Sequence, residues 1–439
     1  MRLNALFLLS LAAAGCVTPL PAAVQAPGTA QAAGDPIAPL VERLDLDRYK
    51  ETIRGLTQFG DRRQGTERNR RAVDWIEQQL QSYGCPTERL YYEYDPESSQ
   101  PRVLTAADSA VLRARESRPA PELTTADSAA LRARESRPVP DPTIASGEVR
   151  LGPGGSRYRG VTRPTTVNTD SMRQPDERLR ELNSESATNG PRSQVYCTKV
   201  GTTRPDEMFI VSAHMDGHGW GEAANDNGSG TALVMELARI FNDPDVVTDR
   251  SIRFALWNNE ETGLNGATAY VMQRAGLQGI EDPPRSGRYP EPMWLGMIQH
   301  DMMMWDHGMP RADGTWNPEQ RPEADVNIEF QSTALRADEA MRLAFFFRDA
   351  NERYATDYPA AVGPHMTNTD STPFMDLTPA ISLRENERGM HTGAGWNPTW
   401  HQPIDVFTTF SDKDFRLGLN AAQTTLSGVA QLVGARLAR

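Results

Sequence analysis

The chain is poor in the residues that commonly build metal or redox centres. Its three cysteines are too few for a disulfide scaffold or a four-thiolate zinc site. With seven histidines, a metal site would have to combine a few of them with carboxylates. Positive charge is in deficit: 46 Lys+Arg against 58 Asp+Glu leave a formal charge of −12. That balance argues against a nucleic-acid-binding surface and against a broad surface for anionic membranes. The apolar run at 3–14 is too short to cross a bilayer. What remains is a soluble globular composition, 38% apolar and 24% charged. The 439 residues suffice for one large α/β domain or two smaller ones.

The N-terminal run reads as a processing segment. Arg2 precedes it and Ala13-Ala14-Gly15-Cys16 closes it, the pattern of a secretory signal over 1–16. The small residues before Cys16 resemble a bacterial lipobox. That resemblance implies lipidation of Cys16 and, with Val17 following, a periplasm-facing anchor in the outer membrane. A plainly cleaved signal, leaving a soluble periplasmic or secreted protein, is the alternative. Residues 17–40 are rich in Ala, Pro and Gly and read as a flexible tether. Export would put Cys85 and Cys197 in an oxidising compartment, where one disulfide between them is expected. Two separate small core residues are the other reading.

Residues 44–83 carry helical periodicity, with Ala72, Val73, Ile76 and Leu80 on one face and Gly84 as the stop. Residues 88–94 read as a strand. A tandem block follows: 104–122 and 123–141 align at a period of nineteen and differ at four positions. Two copies are too few for a solenoid. With six Arg, six acidic residues and few large apolar ones, 104–141 reads as a duplicated low-complexity insertion. Residues 142–192 have the composition of loop. Beyond Val195, strands at 208–213, 252–257, 294–299 and 380–383 alternate with helices at 229–241, 266–275, 335–354 and 415–437. The alternation predicts a three-layer α/β/α sandwich over 41–439, around a mixed, largely parallel central sheet. Such sheets carry their active groups beyond the carboxyl ends of the strands.

The strand ends hold the chemistry. The first strand of the series runs into His214-Met215-Asp216, the second into Asn258-Asn259-Glu260-Glu261, the third into His300-Asp301. Asn225-Asp226-Asn227-Gly228 precedes the helix at 229, and His401 is followed four residues later by Asp405. A catalytic zinc takes about three ligands from His and carboxylates and keeps a position for water. Two such ions need a shared carboxylate. His214, Asp226, Glu261, Asp301 and His401 supply two histidines and three carboxylates for this purpose. Asp216 and Asp405 are spaced to orient the rings of His214 and His401. Glu260, next to a ligand, suits a general acid/base.

These segments resemble the zinc aminopeptidases of the bacterial leucyl-aminopeptidase type, a family that also includes glutamate carboxypeptidases and glutaminyl cyclases. The signatures read His214-Met-Asp216, Ala224-Asn-Asp226-Asn-Gly-Ser-Gly230, Glu260-Glu-Thr-Gly-Leu-Asn-Gly266, Asp301-Met302 and His401 with Asp405. The resemblance covers roughly 45–100 and 193–439. It implies two Zn²⁺ bridged by Asp226, one adding His214 and Asp301, the other Glu261 and His401. It also implies a metal-bound hydroxide as nucleophile, Glu260 as acid/base, and peptide substrates with a free N-terminus. The chain departs from the family at Asn258-Asn259, where glycine is frequent before the Glu-Glu pair, and at Gln299-His300. Ser371 stands where the family has a histidine in the segment Thr369-Asp-Ser-Thr-Pro-Phe374. These departures bear on the substrate pocket and on rate.

Three other readings stay open: a single-zinc glutaminyl cyclase using Asp226, Glu261 and His401, a carboxypeptidase, and a non-catalytic binding relative. The Asp-Asn pair and the adjacent Glu-Glu pair favour the peptidase. Retention of all five ligands argues against a non-catalytic relative. The stretch 142–193 is short for the large insertion of the carboxypeptidases. His218, in a Gly-rich loop beside the ligands, is a candidate for an outer contact to the site or to substrate. Alternation turns His300 to the opposite face, towards core. Met302-Met303-Met304-Trp305 reads as core, and His307, His365 and His391 as loop residues. Trp396 and Trp400 flank His401 and could wall a pocket.

Overall fold

A computed structural model describes residues 34–96, 167–305, 326–364, 369–385 and 399–438, with 101–104, 109–110, 113 and 397. The signal segment, nearly all of the duplicated block, His307, His365, His391 and Trp396 lie outside the described residues. Pro36–Arg439 is one unit. It begins a few residues before the end of the expected tether, because Ile37 and Leu40 are buried at the start of helix α1 (Ala38–Val41).

The periodic stretch at 44–83 is two helices, α2 (Leu46–Thr57) and α3 (Glu67–Ser82). Gly60 and Gly65 take positive φ in the turn between them, which a β-carbon would oppose. The side chains of Asp45 and Thr66 cap the two helices by accepting the N–H groups of Arg48 and Asn69. Strand β1 (Thr87–Tyr94) follows, then β2 (Arg102–Val103). The stretch expected to be loop holds helix α4 (Glu177–Asn183) and the start of β3 (Gly190–Lys199). Asp176 caps α4 in a segment whose polar composition hid it. Then come β4 (Arg204–His214), α5 (Gly228–Phe241), β5 (Val246–Val247), β6 (Arg250–Trp257) and α6 (Asn265–Arg274). The series closes with β7 (Met293–His300), β8 (Val326–Phe330), α7 (Ala337–Tyr354), β9 (Ala360–Gly363), β10 (Ala380–Arg384), α8 (Asp412–Val433) and β11 (Arg436–Leu437). Gly434, at φ 65°, ends α8 earlier than expected, and β11 pairs with β5.

Among the described residues nine strands form one sheet in the order β2-β1-β3-β6-β4-β7-β10-β8-β9. The sheet is mixed: β6, β4, β7 and β10 run parallel at its centre, with antiparallel pairs on both sides. Strand alternation fills two cores. Phe209, Val211 and Ala213 of β4, with Phe254 and Leu256 of β6, pack among residues of α2, α3, α5 and α8. Met208, Ile210, Ala255 and Trp257 pack on the other face with Tyr270 of α6, Trp294 and Phe374. Helices on both faces of one sheet make the expected α/β/α sandwich. Cys85 and Cys197 form a disulfide that ties the end of α3 to β3.

Parallel register sets the site. His214 lies opposite Trp257, and Ala213 lies opposite His300. The chain therefore leaves three neighbouring strands at one edge and delivers His214, Glu260-Glu261 and Asp301 side by side.

Candidate metal centre

All five expected ligands converge there. His214 Nε2 lies 3.5 Å from Asp226 Oδ1 and 3.4 Å from Asp301 Oδ1. His401 Nε2 lies 3.1 Å from Asp226 Oδ2 and 2.9 Å from Glu261 Oε2. The two oxygens of Asp226 thus face two separate sets of donors. Donor atoms of His214, Asp226 and Glu261, of His214, Glu260 and Asp301, and of His218, Glu261 and His401 each lie within 4.8 Å of one another. Glu261 Oε1 and His218 Nε2 are buried with no hydrogen-bond partner among the described residues. So many carboxylates and imidazoles, close together and partly unpartnered, fit divalent cations taking N and O ligands.

The supports differ from those expected. The ring of His214 meets the backbone carbonyl of Asp216 through Nδ1 at 3.0 Å, while the Asp216 carboxylate is 3.9 Å away. That carboxylate instead accepts the N–H of Glu260 at 3.1 Å. Asp405 does not orient His401 either. Its two oxygens accept the N–H groups of Asn225 and Asp226 at 2.8 and 3.0 Å, which fixes the loop carrying Asp226. The four-residue spacing from His401 identified Asp405 but not its partner. The cis peptide Asp226–Asn227 lies in the same loop, and Asn227 caps α5 by accepting the N–H of Gly230.

Two buried arginines were missed. The guanidinium of Arg62 donates to the carbonyls of Met215, Glu222 and Ala223 at 2.7, 2.8 and 2.8 Å, bracing the chain between His214 and Asp226. Arg384 places Nη1 3.3 Å from Asp301 Oδ2 and Nε 3.2 Å from Glu329 Oε2. No motif marks either residue, because Arg62 reads backbone carbonyls and Arg384 sits at the end of an apolar strand.

The departures from the family pattern face inward rather than into the cleft. Asn258 exchanges hydrogen bonds with Asn69 at 2.9 and 3.0 Å and donates to the carbonyl of Ser193. Asn259 donates to Thr262. Gln299 bridges Ser212 and Asp370. His300 is buried against Ser212 O and Thr425 Oγ1, the core role expected of it. Met303, Met304 and Trp305 belong to the larger core. Trp400 lines the cleft with the ligands, its ring 4.4 Å from that of His401.

The carboxylates disturb one another's titration. Burial outweighs the opposing charge of His214 and, with Glu261, Asp370 and Asp301 nearby, pushes Glu260 well above the usual range. Burial lifts Asp216 to about 6 and Asp405 to about 7. Burial lowers His401, but Glu261 and Asp226 outweigh it and carry it to about 9. Each of these four groups has a folded pKa above its unfolded value. The metal-free fold therefore binds more protons than the unfolded chain over this range, and loses stability as pH rises. Zinc-stripped protein is expected to show a melting temperature that falls between pH 6.5 and 9, the interval set by His401. Adding zinc should release protons and flatten that fall. A melting temperature rising with pH in the stripped protein would contradict this.

The sequence profile of Peptidase family M28 matches residues 195–422, a little over half of the chain. The chain belongs to peptidase family M28. The matched M28 region contains every ligand candidate from His214 to His401. "Probable lipoprotein aminopeptidase LpqL" of Mycobacterium tuberculosis is 34% identical over 129 residues, covering 29% of this chain and 22% of that protein. "Aminopeptidase YwaD" of Bacillus subtilis is 43% identical over 67 residues, covering 15% of this chain and 14% of that protein. The matches thus span less than a quarter of those relatives' lengths. Among solved structures, an aminopeptidase from Aneurinibacillus sp. strain AM-1 superposes with a TM-score of 0.53 at 18% identity, covering 91% of this chain and 96% of the other. The zinc aminopeptidase BSAP from Bacillus subtilis gives 0.54 at 14% identity, covering 89% and 96%. These structural likenesses establish the M28 fold.

Proposed function

We propose that this chain is an exported zinc aminopeptidase that removes the first residue of peptides with a free N-terminus. One observation carries the reading. The two carboxylate oxygens of Asp226 are turned to different donor sets, His214 with Asp301 and His401 with Glu261. That arrangement suits two zinc ions sharing Asp226. Membership of family M28 and the aminopeptidase names of its relatives support the reaction class. Bound zinc would supply Lewis acidity and an acidified water.

The remaining work falls to side chains. Glu260, at the cleft and in reach of His214 and Asp301, would take a proton from the attacking water at its carboxylate and return it to the leaving nitrogen. Asp216 acts as a positioning residue, because its carboxylate holds the N–H of Glu260. Trp400 offers an apolar wall to a substrate side chain. The Cys85–Cys197 disulfide favours an oxidising compartment. An anchor at Cys16 completes the proposal, and one relative's name carries the word lipoprotein.

A panel of aminoacyl anilides and short peptides, run beside metal analysis, tests this. Unblocked substrates should release free amino acids with close to two zinc equivalents bound, and N-acetylation should abolish turnover. Equal cleavage of acetylated peptides would overturn the aminopeptidase reading. Cyclisation of N-terminal glutamine without hydrolysis would put a cyclase in its place.

A further inference from the structure

The family pattern gives the ion beside Glu261 a single imidazole, that of His401. In this chain a second ring stands at the same place. His218 Nε2 lies 3.2 Å from Glu261 Oε2, the oxygen that His401 Nε2 approaches to 2.9 Å. The two rings meet edge to face with centroids 4.0 Å apart. His218 Nε2 is buried, yet no described group forms a hydrogen bond with it, so the contact with Glu261 is close but off-axis. Several nitrogen and oxygen donors converging on one carboxylate oxygen are what a shared cation requires. Tetrahedral zinc with bonds of about 2.0–2.1 Å separates its ligand atoms by about 3.3 Å. The separations among His218, Glu261, His401 and Asp226 donors, 3.2, 2.9 and 3.1 Å, are close to that edge.

The backbone holds His218 in this position. Gly219 has φ +105°, and a β-carbon there would fall 2.4 Å from the carbonyl carbon of His401. Asn168 ties the two segments, its N–H donating to His401 O at 3.0 Å and its Nδ2 to Gly219 O at 3.5 Å. The turn carrying His218 is thus fastened to the segment carrying His401.

We propose that His218 is a further ligand of the ion held by Glu261 and His401, and that the two ions are therefore unequal. The ion with Asp226, Glu261, His401 and His218 has four protein ligands and is filled, as structural zinc sites are. The ion with Asp226, His214 and Asp301 has three and keeps an open position. The inference rests on the two-zinc reading above. Chelator competition on the purified protein, followed by cobalt titration with visible spectroscopy, tests both separately. The wild-type protein should lose one zinc equivalent readily and hold the other. His218→Ala and His218→Gln should each weaken the tightly held equivalent by more than the roughly 10- to 100-fold that losing a group which only orients a ligand costs. Both should also change the absorption of one bound cobalt. If both variants, folded by circular dichroism, keep two wild-type dissociation constants and the wild-type cobalt spectrum, His218 is not a ligand. If the wild-type protein itself binds no metal, the two-zinc reading falls and this inference with it.

Discussion

Glu260→Gln is expected to lower turnover of an aminoacyl anilide by about 10²- to 10⁴-fold, the usual share of a positioned acid/base, while bound zinc stays unchanged. Glutamine keeps the shape of glutamate and cannot exchange a proton. The effect should fall on kcat more than on KM, since the group acts in the transition state. The environment argues for the role. Burial and neighbouring carboxylates drive Glu260 to hold its proton in the metal-free protein. Cations alongside push in the opposite direction. A carboxylic group balanced between those pressures can both accept and give a proton near neutral pH. Full activity in the variant would remove Glu260 from the reaction. Loss of a zinc equivalent would make it a ligand instead, since His214 and Asp301 lie close to it.

Arg62→Leu should be the most damaging change away from the cleft. The guanidinium is fully buried, and its forked donors hold three carbonyls of the chain between His214 and Asp226. Leucine would leave those carbonyls unpaired at about 1–3 kcal/mol each. A loss of about 3 kcal/mol or more follows, which lowers the melting temperature by about 3 °C or more in a chain of this size. Zinc affinity should fall with it, because the braced segment starts at one candidate ligand, His214, and ends at another, Asp226. Arg62→Lys should rescue little, since a single ammonium cannot reproduce the planar fork. A melting temperature within a degree of wild type in Arg62→Leu would show that the loop holds itself.

Candidate ligands were legible in the sequence where a polar residue interrupts an apolar run. His214 ends a strand, Asp301 and Glu261 lie one and four residues beyond strand ends, and Asp226 lies just before a helix, so local pattern was enough. The supports obey no such pattern. Asp405 binds two backbone amides some 180 residues earlier in the chain, and Arg62 binds carbonyls about 150–160 residues later. Spacing along the chain carries no trace of either. The break at 58–66 carries its own signals, Gly60 and Gly65 at positive φ and Thr66 as the cap of α3, which the apolar repeats on either side overshadowed. β8 was missed because it joins the sheet antiparallel beyond β10, outside the alternating series. His218 was visible as a residue, but what it faces, Glu261 and the ring of His401, is set by the fold and not by its neighbours in sequence.

The disulfide between Cys85 and Cys197 spans 112 residues, and the duplicated block lies wholly inside that span. Closing a loop grows costlier only with the logarithm of its length, by about 0.6 kcal/mol per doubling. Nineteen extra residues in so long a loop cost only a fraction of that. The covalent ring is thus a place where the gene can lengthen with almost no thermodynamic resistance. It is also insurance: a peptide bond cut anywhere between the two cysteines leaves one molecule, still joined, with all five candidate ligands, His214 to His401, on the same fragment.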